Sequence, residues 1–298
     1  MIQLIECEGA PRDLGFDQGT HCRAALNAAY RSQSRWQRAR FRLLPESDSC
    51  RQVRLEIRRF YPQQAEMMEA MARASRVPVS WLIAVLAGDR RSAPPADALV
   101  LAAASAVTDR GGLLARSLPA DAILRRSRPE SGFRSIELTQ PWRIAPLAGV
   151  NEAGLAVACL PNSGGVAGSQ DAAPAALLAH DCLRRFDSLD GAIDWLLVRP
   201  GGGKSMLVLA DHSGEIAGVS VDGDERKLFR PADGLIIQTG GHARQAEFEK
   251  GLRAASPLLG SDLGRFFGLP LVVVEPSRRL IGLLGGGIAG EADRWFEI

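Results

Sequence analysis

The order in which two kinds of apolar spacing occur constrains this chain most. Residues 14–87 carry apolar side chains at helical spacing in three stretches: 14–42, 49–73 (interrupted at Pro62) and 78–87. From Ala98 onward the chain changes character. Short apolar runs are separated by turn signals such as Asp-Arg-Gly-Gly at 109–112, Asn-Glu-Ala-Gly at 151–154 and His-Ser-Gly-Glu at 212–215. Strands are expected at 2–6, 98–107, 113–116, 134–139, 142–149 and 155–160, and again at 205–211, 216–222, 235–239, 270–275, 280–286 and 294–298. Two further helices, 172–186 and 188–198, come together between strands, with Asp187 or Ser188 as the N-cap of the second. Helices in runs and strands in hairpins argue for antiparallel sheets covered by helix layers, not for alternating parallel βαβ units. The expectation is an α+β fold in one domain over 1–298, with a helical N-terminal part at about 14–87.

Charge and cysteine usage exclude several classes. The 298 residues carry 36 basic and 34 acidic side chains, a balance that gives no reason to expect nucleic acid as a partner. Basic residues do cluster between Arg31 and Arg59, either as a solvated helical face or as a face for an acidic partner. Five cysteines without a Cys-x-x-Cys pair suggest neither a disulfide framework nor zinc, and Cys159 and Cys182 read as small core residues. The four histidines, His21, His180, His212 and His242, lack metal-ligand spacing, so no metal or other cofactor is expected. The opening residues have no signal-peptide core, and no run of about 18 apolar residues exists. A cytoplasmic protein without membrane contact is the resulting expectation. Gly203-Lys204-Ser205 ends like a phosphate loop, but Val198 stands where the motif needs glycine, and a strand follows instead of a helix.

Five segments, in order, resemble the acyl-coenzyme A:6-aminopenicillanic acid acyltransferase family, a branch of the N-terminal-nucleophile hydrolases. Gly9–Gly19 (GAPRDLGFDQG) is similar to the family's Gly-x-x-x-(Glu/Asp)-x-Gly-x-x-x-Gly opening, and 149–157 (GVNEAGLAV) to its Gly-x-Asn-x-x-Gly-Leu turn. The stretch 199–222 resembles its hairpin with Ala-Asp-x-x-Gly at the turn, 239–242 (TGGH) its Thr-Asn-His, and 272–287 its closing hairpin. The resemblance implies a four-layer αββα sandwich of two mainly antiparallel sheets. It also implies self-cleavage before a cysteine, whose freed α-amine then serves as base for its own thiol. An α-amine titrates near pH 8, so it can do this at neutral pH.

This chain departs from that pattern where the chemistry should be. The family's nucleophile opens the first hairpin; here the reading falls on Ala102-Ala103-Ala104-Ser105, and no cysteine lies between Cys50 and Cys159. The family's Asn-x-Asp-like stretch is Ser117-Leu118-Pro119, and its Asn before the His is Gly240 or Gly241. Two readings follow. One is a catalytically degenerate relative that binds a small acylated amine or peptide-like ligand, or acts as a helper protein. The other is a self-processing amidohydrolase or acyltransferase with Ser105 as nucleophile, in which His242 would be a site residue. Otherwise Ser105 is a small residue in a buried strand and His242 a packed turn residue.

Overall fold

The computed structural model describes residues 2–44, 46–89, 98–109, 111–161, 173–240, 250, 252, 263, 267–285 and 294–298. After β1 (Gln3–Gly9) come six helices: α1 (Pro11–His21), α2 (Arg23–Arg31), α3 (Arg35–Leu43), α4 (Asp48–Phe60), α5 (Pro62–Ser75) and α6 (Val79–Asp89). The stretch read as one helix over 14–42 is three. A turn after Arg31 leads to Ser34, which caps α3: Ser34 Oγ accepts from Gln37 N at 3.2 Å, and Gln37 Oε1 accepts from Ser34 N at 3.0 Å. Pro62 is a helix start, where its missing N–H costs nothing.

The glycines of the first motif now have physical reasons. Gly9 ends β1 at φ +108°, and Asp13 Oδ2 accepts from Ala10 N at 3.3 Å as α1 begins. Gly15 and Gly19 lie on one face of α1, against the backbone of α5. A Cβ at Gly15 would sit 2.0 Å from the Met67 carbonyl oxygen, and one at Gly19 would sit 2.6 Å from that of Met71. The two helices can approach this closely only because those side chains are absent.

The remaining strands are β2 (Leu99–Ala103), β3 (Leu113–Ser117), β4 (Ile123–Pro129), β5 (Ser135–Thr139), β6 (Ala148–Asn151) and β7 (Ala156–Pro161), then β8 (Lys204–Ala210), β9 (Ile216–Asp222), β10 (Glu225–Phe229), β11 (Leu235–Thr239), β12 (Leu271–Glu275), β13 (Leu280–Leu284) and β14 (Arg294–Glu297). Helices α7 (Ala176–Arg185) and α8 (Leu189–Val198) separate β7 from β8. One sheet runs β1-β4-β5-β6-β7-β8-β9-β10 and the other β11-β2-β3-β12-β13-β14. Neighbouring strands in both sheets pair antiparallel, except β1 with β4.

Strand alternation builds the layers. On β8, Leu207 and Leu209 face a helix-covered core with Leu177, Leu183 and Met71, whereas Met206, Val208 and Ala210 face the second sheet. On β2, Val100 and Ala102 face β8, while Leu99, Leu101 and Ala103 join Leu252, Leu263 and Phe267 on the far side. The result is the expected α+β four-layer sandwich: helices, eight strands, six strands, and an outer layer to which those last three residues belong.

Two strands escaped the sequence reading. β4 (ILRRSRP) carries three arginines, yet Arg125 is fully buried, because its guanidinium donates to Glu137 on β5 and, at 2.5 Å, to Gln18 Oε1 on α1. β10 (ERKLF) is a mostly exposed edge strand with no apolar alternation to mark it.

Candidate functional site

Two tight turns hold the first sheet's hairpins in place. Asn151 Oδ1 accepts from Ala153 N and Leu155 N, while its amide donates to the carbonyls of Leu183 and Phe186, so one side chain ties the β6–β7 turn to α7. Asp211 does the same for β8–β9, accepting from Ser213 N at 2.9 Å, with Gly214 at φ +90°.

The second turn meets Ser105. The first hairpin spans Leu99–Ala103 and Leu113–Ser117, so residues 102–105 lie at its turn end and not at its opening. The sequence reading placed the strand too far along. Ser105 starts a short 3-10 turn and is exposed, not buried in a strand. Its N–H donates to the Gly214 carbonyl at 2.9 Å, and Gly214 must be glycine because a Cβ there would lie 2.4 Å from Ser105 Cβ. Gly112 packs on the same glycine. This contact joins the β2–β3 turn of one sheet to the β8–β9 turn of the other. His212, in the same turn, is exposed, and His242 lies outside the described residues.

The hairpin opens at the other end. Gly240 N donates to Ala98 O at 2.8 Å, Leu99 N to Ser117 Oγ at 3.0 Å, and Leu118 N to Pro270 O at 3.0 Å. Gly240 thereby spends its only donor on the strand next to it. Thr239 and Leu99 are paired in register, so the end of β11, the start of β2 and the end of β3 converge.

Just inside that end lies Arg116. Alternation along β3 turns it inward beside Leu114, into the space between the sheets, where it is 7% exposed. Its Nη1 donates to the carbonyl of Cys159 on β7, with Leu147 O at 3.4 Å, and among the described residues its Nε finds no partner. Among the described residues no carboxylate pairs with it. Burial, abetted by nearby Arg143 and opposed by Cys159, pushes its pKa down to about 10. A cation buried without a counter-ion carries a desolvation cost that most folds avoid. It presents donors that suit a carbonyl or carboxylate. The sequence reading passed over Arg116, although its place two residues after Leu114 on an inward face was the available signal.

A second buried polar group lies under the helices. Glu137 accepts from Arg125 and, at 2.6 Å, from Ser135 Oγ. Burial alone would raise its carboxyl, but Arg125, His180 and Ser135 outweigh it and hold it below the usual range. His180, 1% exposed, is pushed down to about 3 by burial and stays neutral. Arg125 and Glu137 satisfy each other, so this group is a structural ion pair. Among the described residues no cluster of His, Cys, Asp and Glu suits a metal ion, and no helix is long and apolar enough to cross a membrane.

No family model and no curated protein sequence matches this chain. Solved structures do resemble it. Penicillin V acylase from Agrobacterium tumefaciens is 14% identical, over 67% of this chain and 86% of that one, with a TM-score of 0.46. A mutant of conjugated bile acid hydrolase from Clostridium perfringens is 11% identical, over 67% and 92%, at 0.49. An N-acylethanolamine-hydrolyzing acid amidase ortholog from Caenorhabditis elegans is 13% identical, over 60% and 93%, at 0.47.

Proposed function

We propose that this chain is a divergent amide-hydrolase-like protein that binds an acylated amine or peptide-like ligand without cleaving it. The observation that carries this reading is the pair of residues opening the first hairpin. Ala98 and Leu99 open the first hairpin, the position to which the resemblance assigns the nucleophile, and neither bears a group that can attack a carbonyl.

The surroundings support the same reading. Ser117 and Pro119 replace the family's Asn-x-Asp-like stretch, and the N–H of Gly240 is already committed to Ala98 O. Loss of a single oxyanion donor removes about 3 kcal/mol of transition-state stabilisation. Loss of the nucleophile as well leaves little rate. Arg116 remains, held between the sheets, its guanidinium a donor for the ligand's carbonyl or carboxylate. Binding would thus outlast catalysis. Ser105, at the turn end of the first hairpin and packed on Gly214, lies at the opposite end from Gly240 and Ser117.

Calorimetric titration with N-phenylacetylglycinamide, a small acylated amine, tests this reading alongside mass spectrometry of the recovered ligand. The expected outcome is saturable binding with the amide bond intact. Turnover of the amide, or no binding of this ligand class, would contradict it.

A further inference from the structure

A separate cavity of about 550 Å³ opens along the side of the sandwich, between the β9–β10 edge of one sheet and β11, the edge strand of the other. Its origin lies in the β9 sequence. Ala217, Val219 and Val221 face the helices and fill their core, whereas Gly218 and Ser220 alternate onto the opposite face. Small residues there leave space between the sheets. The Met206 side chain takes part of it: a Cβ on Gly218 would lie 2.6 Å from Met206 Cε and 3.5 Å from Ile236 Cδ1. The rest stays open.

The lining has two halves. Met206 and Ile236 form an apolar floor, and Phe229, paired with Gly218 and 46% exposed, continues it outward along β10. Ser220, Gln238 and Arg230 supply the polar groups. Arg230 gives one edge of its guanidinium to Asp190, but both side chains are well exposed and such a pair is weak. Among the described residues its other donors have no partner, and Arg230 lies at the cavity rim. Apolar walls, a few polar groups and a volume within about 300–1,000 Å³ are the features of a small-molecule site.

We propose that this cavity binds a small amphipathic carboxylate, its acyl chain along Met206, Ile236 and Phe229 and its carboxylate on Arg230. The inference stands on this lining alone and does not need Arg116 or the proposed function.

Titration calorimetry of the intact chain with decanoate below its micelle concentration, and with decanol as the uncharged control, tests it. The expected result is saturable one-to-one binding of decanoate. Arg230→Gln, an exposed change that leaves the core untouched, should weaken decanoate about tenfold through loss of a charge-assisted hydrogen bond and leave decanol unaffected. Ser220→Leu, which fills the cavity, should abolish both, and Arg116→Met should alter neither. Absence of saturable binding, equal loss of decanoate and decanol on Arg230→Gln, or decanoate binding that survives Ser220→Leu or is lost with Arg116→Met would each overturn the assignment. Circular dichroism of Ser220→Leu confirms its fold; were that variant unfolded, the decanoate–decanol contrast on Arg230→Gln decides alone.

Discussion

Arg116, on β3 of one sheet, donates through its guanidinium to the carbonyl of Cys159, on β7 of the other. The bond crosses the interior of the sandwich, in a layer otherwise lined by Val100, Leu114, Ala156 and Ala158. A cation in that setting stabilises little by itself. Its charge costs desolvation, and among the described residues no carboxylate offsets it.

Arg116→Met should therefore leave stability within about 1 kcal/mol of the parent in urea unfolding, since exchange of a buried charge for an apolar side chain of similar size is often neutral. The same substitution should abolish binding of an acylated amine. A loss of several kcal/mol would instead make Arg116 a structural residue.

His180 gives the chain an acid sensitivity. Its pKa falls from 6.5 to about 3 on folding, because burial disfavours the imidazolium. The unfolded chain thus binds an extra proton between those values, and stability drops as pH falls below 6.5. The drop attributable to this residue amounts to about 2 kcal/mol at pH 5. The variant His180→Leu should lose that slope, measured as unfolding free energy against pH between 4 and 7. An unchanged slope would show that His180 does not titrate as a buried neutral group.

Breaking the ion pair beside it should be far costlier. Glu137→Gln leaves the buried guanidinium of Arg125 uncompensated and should cost about 3–5 kcal/mol. Glu69→Gln, which breaks the exposed pair with Arg58, should cost under about 1 kcal/mol. Denaturant titrations of the two variants side by side give the comparison, and similar losses would contradict the burial argument.

Gly15→Ala tests the helix crossing. A methyl group 2.0 Å from the Met67 carbonyl oxygen has no room, and the obstacle is backbone, so α1 must move off α5. The expected cost is about 2–4 kcal/mol, read as a lower thermal midpoint. Gly88→Ala, with nothing among the described residues near its Cβ position, is the control and should change stability little.

The parts of this fold that rest on local chemistry were legible in the sequence. Gly9, the Asn151 turn and the Asp211 turn each carry a residue type suited to a tight local backbone arrangement. What depends on distant partners was not. The arginines of β4 break any apolar alternation, and Arg125 is buried only because Glu137 and Gln18 meet it. The run ALVLAAASAV is small and apolar throughout, so no alternation fixes where its strand stops, and the reading overran Ala103 into an exposed turn at Ser105. That error moved the hairpin's opening from 98–99 to 102–105. Ala98 and Leu99 lack a nucleophilic group too, so the chemistry inferred for the opening is unchanged by the correction.

Intact-mass spectrometry of the purified chain bears on the missing nucleophile most directly. The expected result is one uncut species with the mass of the 298-residue chain, 32.0 kDa. Two fragments with a new N-terminus at Ser105, their formation blocked by Ser105→Ala, would contradict it.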